Sequence, residues 1–397
     1  MSVPAAHDHR QRECPHHGHR ALVALAVLLA LLCLTRRAGG EAPLPVESPA
    51  YRAARKLLPE RFQRYETSRF VVLSDAEAAW SRRQASRLER VHHQFDRFAR
   101  QMNLQPRPLR HKLVCILFSR RDDYLTFART NDEAQASWIA GYYAPAADRV
   151  VFYDLQDDAG ILDARRKLEE MQEEVQSMER DAGTAQSIGL KRQAEELRAN
   201  AVAYRRHVDR ERQRLETFAR SVSVATTVHE AVHQLLFHTG IQAAHVDYPV
   251  WISEGLATAF ESDDTDLPFG PDREYEPRRQ EFFRLLQNSD LLPLRRLVQI
   301  VDLDGADEPQ IRRVYHQSYA LVIWLHRYRR DELRAYLQKM RQMPPGDLSP
   351  RQQVAAFESA FGDTNQLERA WLRHEYTQFA EQPSAQLAGA HDDTPRQ

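Results

Sequence analysis

Apolar residues along the chain follow two different periods, and the switch between them divides it. The stretches "RFVVLS" (69–74) and "HKLVCILF" (111–118) are apolar runs of strand length. Between them, from Asp75 to about Met102, Trp80, Leu88, Val91, Phe95 and Phe98 recur at helical spacing. Ser119 stands where it can cap a helix after the second run. Two further strand-like stretches, "IAGYYA" (139–144) and "RVVFYD" (149–154), flank Pro145, Ala146, Ala147 and Asp148, whose turn chemistry predicts a hairpin. Residues 68–158 therefore read as strand, helix, strand, helix and hairpin, a small mixed sheet with helices packed on it.

From Ile161 the spacing changes. Ile161, Ala164, Leu168, Met171, Val175 and Met178 step by three and four, and Leu190, Ala194, Leu197, Ala201, Tyr204 and Val208 resume the pattern. Gly183 and Gly189 interrupt it. These steps predict an antiparallel helical hairpin over residues 159–222, charged on its outside. It reads either as a self-satisfied structural insertion or as an arm for a partner. Its second helix runs toward residues 223–262 and can buttress them. After Glu254 helical spacing recurs at 276–287, 310–329, 331–341, 350–361 and 366–379, so residues 263–380 form a helical C-terminal part. A polar, proline-containing tail, 381–397, is expected to be disordered, and 41–67 reads as a short charged linker. The fold class is α+β.

Composition narrows the function. A chain of 397 residues supports one large or two moderate domains. The formal net charge of −1 carries no basic excess, so nucleic acid is not an expected partner. Of the three cysteines, Cys14 and Cys33 lie in the N-terminal leader, and Cys115 sits alone in an apolar run. Cys115 reads as an inert buried thiol, and neither a disulfide framework nor a zinc–thiolate site can be built. In the leader, Arg10, Arg12 and Arg20 precede the apolar run 21–34, and Ala38, Gly39 and Gly40 offer small residues for cleavage. That run spans roughly 21 Å as a helix, less than the roughly 30 Å of a bilayer's hydrocarbon core. Residues 1–40 thus read as a secretory signal peptide. Arg36 and Arg37, just after the run, suit the alternative of an uncleaved membrane anchor. The expected location is exported, periplasmic or extracellular, with membrane association through 21–34 as the variant. The leader's histidines read as a solvated tract, and no pattern specifies an oligomeric state.

The candidate chemistry lies in "TTVHEAVHQLLFHTG" (226–240). Residues four apart share a helix face, so His229 and His233 can point at one ion, with Glu230 beside them. The alternative is an amphipathic helix with two solvated or core histidines. A catalytic zinc needs a third protein ligand and an open position. A third histidine six residues beyond the second is excluded, because Thr239 stands there and Leu236 replaces the accompanying glycine. His238 is turned off the face, and His245 is merely nearby. The better candidate is Glu254 in "PVWISEGLATAFES", 21 residues after His233. Gly240 can end the first helix and Pro249 suits the start of the next, which packs back to bring the carboxylate to the ion.

"HEAVH" followed by "WISEGLA" resembles the gluzincin metallopeptidases, and most closely the peptidase-MA-like bacterial families with a W-x-x-E-G-L-A signature. More narrowly, the chain resembles an exported bacterial family catalogued as a domain of unknown function (1570). There a sheet layer ending in a "GYYxP…RVV" hairpin precedes the metal helix. The resemblance runs from about residue 69 to 325, interrupted by the helical hairpin. It implies zinc held by His229, His233 and Glu254, with Glu230 as general base. It also implies a tyrosine on a later helix as oxyanion donor. Tyr315 matches the "Y-x-Q-S" pattern in "VYHQSYALVIWL", Tyr319 and His316 are alternatives, and all three can instead be packing residues. The edge strand "IAGYYA" is the candidate for holding a peptide as an added strand. Trp251 lines the site or packs in the core. Thr258 is a candidate hydrogen-bond partner to the ligands, where many zincins carry an acidic residue. The implied activity is zinc-dependent hydrolysis of a peptide or protein substrate. Two alternatives stand beside it: a cell-wall amidase using the same centre, and a non-catalytic envelope scaffold working through the helical hairpin.

Overall fold

The structure is a computed structural model that describes residues 43–134, 140–346 and 348–381. The apolar leader, Ile139 at the head of the first hairpin strand, and the tail beyond Glu381 lie outside them. From Leu44 onward the chain forms one unit. The fold is α+β, with a five-stranded mixed sheet and twelve α-helices among the described residues.

The sheet contains β1 (Gln63–Glu66), β2 (Phe70–Ser74), β3 (Leu113–Phe118), β4 (Gly141–Ala144) and β5 (Arg149–Tyr153), in the order β1-β2-β3-β5-β4. The central strands β2, β3 and β5 are parallel and buried along their whole length, which is why they read as unbroken apolar runs. Their side chains alternate between two cores. Val71, Ile116 and Val151 face a smaller one, covered by α1 (Pro49–Leu57) and α3 (Arg121–Asn131). Val72, Cys115 and Phe152 face the larger one, filled by α2 (Ala78–Gln101) and the later helices. Cys115 is fully buried there, and burial pushes its thiol pKa up, so it is the inert thiol expected. The hairpin forms as its turn predicts: β4 pairs antiparallel with β5, and Asp148 takes φ 48° at the turn. This leaves β4 at the edge of the sheet.

Three expectations change. The segment read as a linker, 41–67, carries helix α1 and edge strand β1. Both are short, and β1 is polar with most of its side chains exposed, so no apolar period announces it. Ser119 does not cap α3. Its N–H donates to Asp75 Oδ1 at 2.7 Å, and the helix begins two residues later, where Asp157 accepts from the Arg121 amide. Gly183 does not break the first arm helix, since a solvent-facing glycine costs a helix only about 1 kcal/mol.

The arm pairs α4 (Ala159–Ser187) with α5 (Lys191–His238). Buried residues recur every seventh position: Ile161, Leu168, Val175 and Ala182 on α4, and Ala194, Ala201 and Val208 on α5. The turn is made at Gly189, φ +85°, and Leu190 N–H closes it by donating to Ala185 O at 2.8 Å. The 48-residue α5 does not stop at the end of the arm. It runs unbroken into the larger core as one rod of about 72 Å, so arm and histidine helix are one element. It ends at Gly240, φ +69°, where a left-handed residue is needed.

The C-terminal helices are α6 (Val250–Phe260), α7 (Glu276–Gln287), α8 (Leu294–Leu297), α9 (Glu308–Tyr328), α10 (Arg330–Arg341), α11 (Pro350–Phe361) and α12 (Thr364–Ala380). Helices α6 and α9 cross closely at Gly255, where a Cβ would meet Val322 Cγ2 at 2.6 Å and Ser318 O at 2.9 Å. Trp251 is fully buried among Tyr336, Phe357 and Phe361, so it packs the core.

Candidate metal centre

Four elements meet where α5 enters the core. His229 and His233 project from one face of α5, and Glu254 approaches from α6. Their ligand atoms all lie within 4.8 Å of one another, a group able to hold a metal ion. His229 Nε2 is 3.1 Å from Glu254 Oε2 and 3.1 Å from His233 Nε2, which is itself 3.4 Å from Glu254 Oε1. Two imidazole nitrogens facing each other beside a carboxylate form a donor set suited to a cation at their centre.

The electrostatics agree with the geometry. Burial alone disfavours charge on His229, yet hydrogen bonds to Glu254 and Glu261 push its pKa up to about 10. The two carboxylates thus favour positive charge at this imidazole, and a cation at the centre would take the place of its Nε2 proton. Burial likewise opposes ionisation of Glu254, but His233 and His229 hold it well below the usual carboxylate range. The donor set fits a divalent cation.

Glu230 sits on the side of α5 that meets the sheet. The Tyr143 N–H of edge strand β4 donates to its Oε2 at 2.9 Å, and burial raises its pKa while the two histidines pull it down. That amide points away from the β4–β5 ladder, which makes it available to a neighbour. The Tyr143 and Phe237 rings pack 5.9 Å apart and fix the edge strand against the end of α5.

The three candidates on α9 separate cleanly. The Tyr315 ring stacks on His229, with centroids 6.1 Å apart and planes 8° from parallel. Burial, then Glu254, to which its hydroxyl hydrogen-bonds, raise its pKa well above the ordinary value, so it stays a protonated donor. Tyr319, one turn on, accepts from Tyr275 N–H at 2.7 Å and is a fully buried packing residue. His316 is buried beside Arg278 and Arg312, and burial together with those charges drives its pKa down to about 3. His238 lies 3.3 Å from Asp148, and His245 bonds Met343 O, so neither joins the group.

Thr258 does not reach the ligands. Its hydroxyl donates to Glu254 O at 2.7 Å, within its own helix. The acidic partner lies one residue beyond α6 instead. Glu261 Oε1 is 2.9 Å from His229 Nδ1, and Arg278 clamps the same carboxylate with two bonds of 2.7 Å. Burial opposes the charge on Glu261, but Arg278 and His229 hold its pKa down to about 2. As an ionised acceptor it fixes the Nδ1–H tautomer and aims Nε2 at the centre. Glu261 and Arg278 were missed in the sequence. The one available signal was Glu261 itself, two helical turns after Glu254 on the same face.

The structure thus defines an α+β protein with a His–His–Glu group able to hold a metal ion at a sheet edge. A family model described as a protein of unknown function (DUF1570) matches residues 223–347, a span that contains every side chain of the centre named above and leaves out the sheet. No curated protein matches the chain.

Proposed function

We propose that the chain is an exported zinc-dependent metallopeptidase of the gluzincin type, with zinc held by His229, His233 and Glu254. The observation that carries this reading is the convergence of those three side chains beside Glu230 and Tyr315, at the edge of a sheet. Bound there, zinc supplies Lewis acidity that polarises a scissile carbonyl and acidifies a water. Glu230 is the general base. Its Oε2 is held by the Tyr143 amide, so Oε1 takes the proton from the attacking water and passes it to the leaving amine. Tyr315, kept protonated by burial, donates its hydroxyl to the developing oxyanion. Strand β4 lies at the sheet edge beside the centre, and its main-chain groups other than the Tyr143 N–H, which Glu230 takes, can meet an extended peptide; this supports a peptide over a small amide as substrate. Export rests on the apolar run 21–34 of the leader.

The test is Glu230→Gln assayed on a mixed peptide pool. The variant is expected to keep about one zinc per chain and to lose hydrolysis by roughly a hundredfold or more, while a chelator silences the parent. Unchanged turnover in Glu230→Gln overturns the mechanism.

A further inference from the structure

Arg278 occupies the second position after the start of α7, the helix that follows Glu261. Its Nε and Nη2 each donate to Glu261 at 2.7 Å, and its Cζ stands 5.9 Å from the centre of the Tyr315 ring. Since Glu261 bonds His229, and Tyr315 stacks on His229, these four side chains form a closed ring drawn from α5, the end of α6, α7 and α9. Both ends of the clamp are sheltered, with side-chain exposures of 22% for Arg278 and 4% for Glu261.

Charge explains why an arginine is needed there. Glu230, Glu254 and Glu261 place three carboxylates around one small volume, whereas a divalent cation offsets only two. Among the described residues, Arg278 is the guanidinium in contact with any of them. Its planar fork also satisfies both oxygens of Glu261 at once, which an ammonium does not.

We infer that Arg278 is a positioning residue that sets the metal affinity of the centre by holding Glu261 on His229. It touches neither metal nor substrate, and it acts through the tautomer and aim of one imidazole. The inference rests on the metal-centre reading above.

The experiment measures zinc affinity by chelator competition for the parent, Arg278→Gln, Glu261→Gln, the double variant and Glu375→Gln. Glu375 forms the equivalent buried pair with the adjacent Arg279 at 2.7 Å, away from the centre. Its loss therefore reports what breaking a buried ion pair on α7 does to the fold alone. Arg278→Gln and Glu261→Gln are each expected to weaken zinc binding about 10- to 100-fold. The double variant should be no worse than the weaker single, because one acts through the other. Glu375→Gln should lower thermal stability and leave the affinity within about twofold. Arg278→Lys, which keeps the charge without the fork, should fall between parent and Arg278→Gln and serves as the better-folded variant. Parent-like affinity in Arg278→Gln, multiplying losses in the double variant, or an equal loss in Glu375→Gln overturns the inference and leaves the metal centre standing. A parent that binds no zinc overturns both.

Discussion

Around the two imidazoles stand three carboxylates, each held by a different partner: Glu254 by the histidines, Glu230 by the Tyr143 amide, and Glu261 by Arg278. The partners decide the roles. Glu254 faces the two histidines, Glu230 faces the sheet edge at Tyr143, and Glu261 faces away from the centre and holds the far nitrogen of His229. Two predictions belong at this scale. Tyr315→Phe removes a hydroxyl aimed at the centre, so kcat should fall about a hundredfold with zinc content unchanged. Tyr319→Phe removes a buried bond to the Tyr275 amide and should lower stability by about 1 kcal/mol with kcat unchanged. Steady-state kinetics and thermal melts separate the two, and reversed effects would contradict the assignment. The second concerns acid. The pKa of Glu261 is depressed by folding, so the stability it contributes is present above its ordinary value of 4.5 and is lost as pH falls toward about 2. The stability gap between parent and Glu261→Gln should be flat between about pH 5 and 6, shrink below that as Glu261 protonates, and shrink above it as the His229 charge that Glu261 supports is lost toward pH 10. Urea midpoints across that range check the sign, and a gap that widens on acidification below about pH 5 would refute it.

Between elements, the decisive contact is the crossing of α6 and α9 at Gly255. Residue 255 follows a ligand, and Ser318 and Val322, which it touches, lie on the helix that carries Tyr315. Gly255→Ala would have to push the two helices apart, and the cost of such overpacking, about 1–3 kcal/mol, exceeds the gain in helix propensity of about 1 kcal/mol. The variant should melt lower and lose kcat while retaining metal, because the ligands sit on α5 and α6 and Tyr315 on α9. A melting temperature equal to or above that of the parent would show that the crossing has slack. The arm poses a different question of scale. Its heptad spacing was legible, but the continuity of α5 through residue 223 was not. A heptad seam and a core-facing stripe differ in sequence, while the backbone hydrogen bonds that join them carry no pattern. The glycine at 183 misled for a related reason: it faces open space, where its lack of a side chain leaves the helix unbroken.

For the molecule as a whole, a three-layer arrangement brings one edge of a sheet, one long helix and a crossing pair of helices to a single point. The parts of the centre that chain spacing could reveal were those with local logic. His229 and His233 lie one turn apart and Glu254 follows on the next helix, while Tyr315 came only from the resemblance, through its "Y-x-Q-S" pattern. The remainder arises only from packing. Glu261 lies past the end of α6, Arg278 belongs to a further helix, and the Tyr143 amide is a backbone group of an edge strand. Arg278 and the Tyr143 amide have no sequence spacing to the histidines that chemistry requires, and Glu261 offers only its place two turns after Glu254. Thr258 has the helical phase to reach the ligands, yet its hydroxyl bonds its own backbone, as hydroxyls in helices do. Every role proposed for these side chains depends on the convergence binding zinc. The most direct measurement is elemental analysis with zinc-edge X-ray absorption on the purified chain, its His233→Ala variant and its Glu254→Ala variant. The parent should hold about one zinc per chain, with nitrogen and oxygen ligands at about 2.0–2.2 Å, and both variants should lose that stoichiometry. A parent without stoichiometric zinc, or variants that retain it unchanged, would show that these three side chains do not form a zinc site.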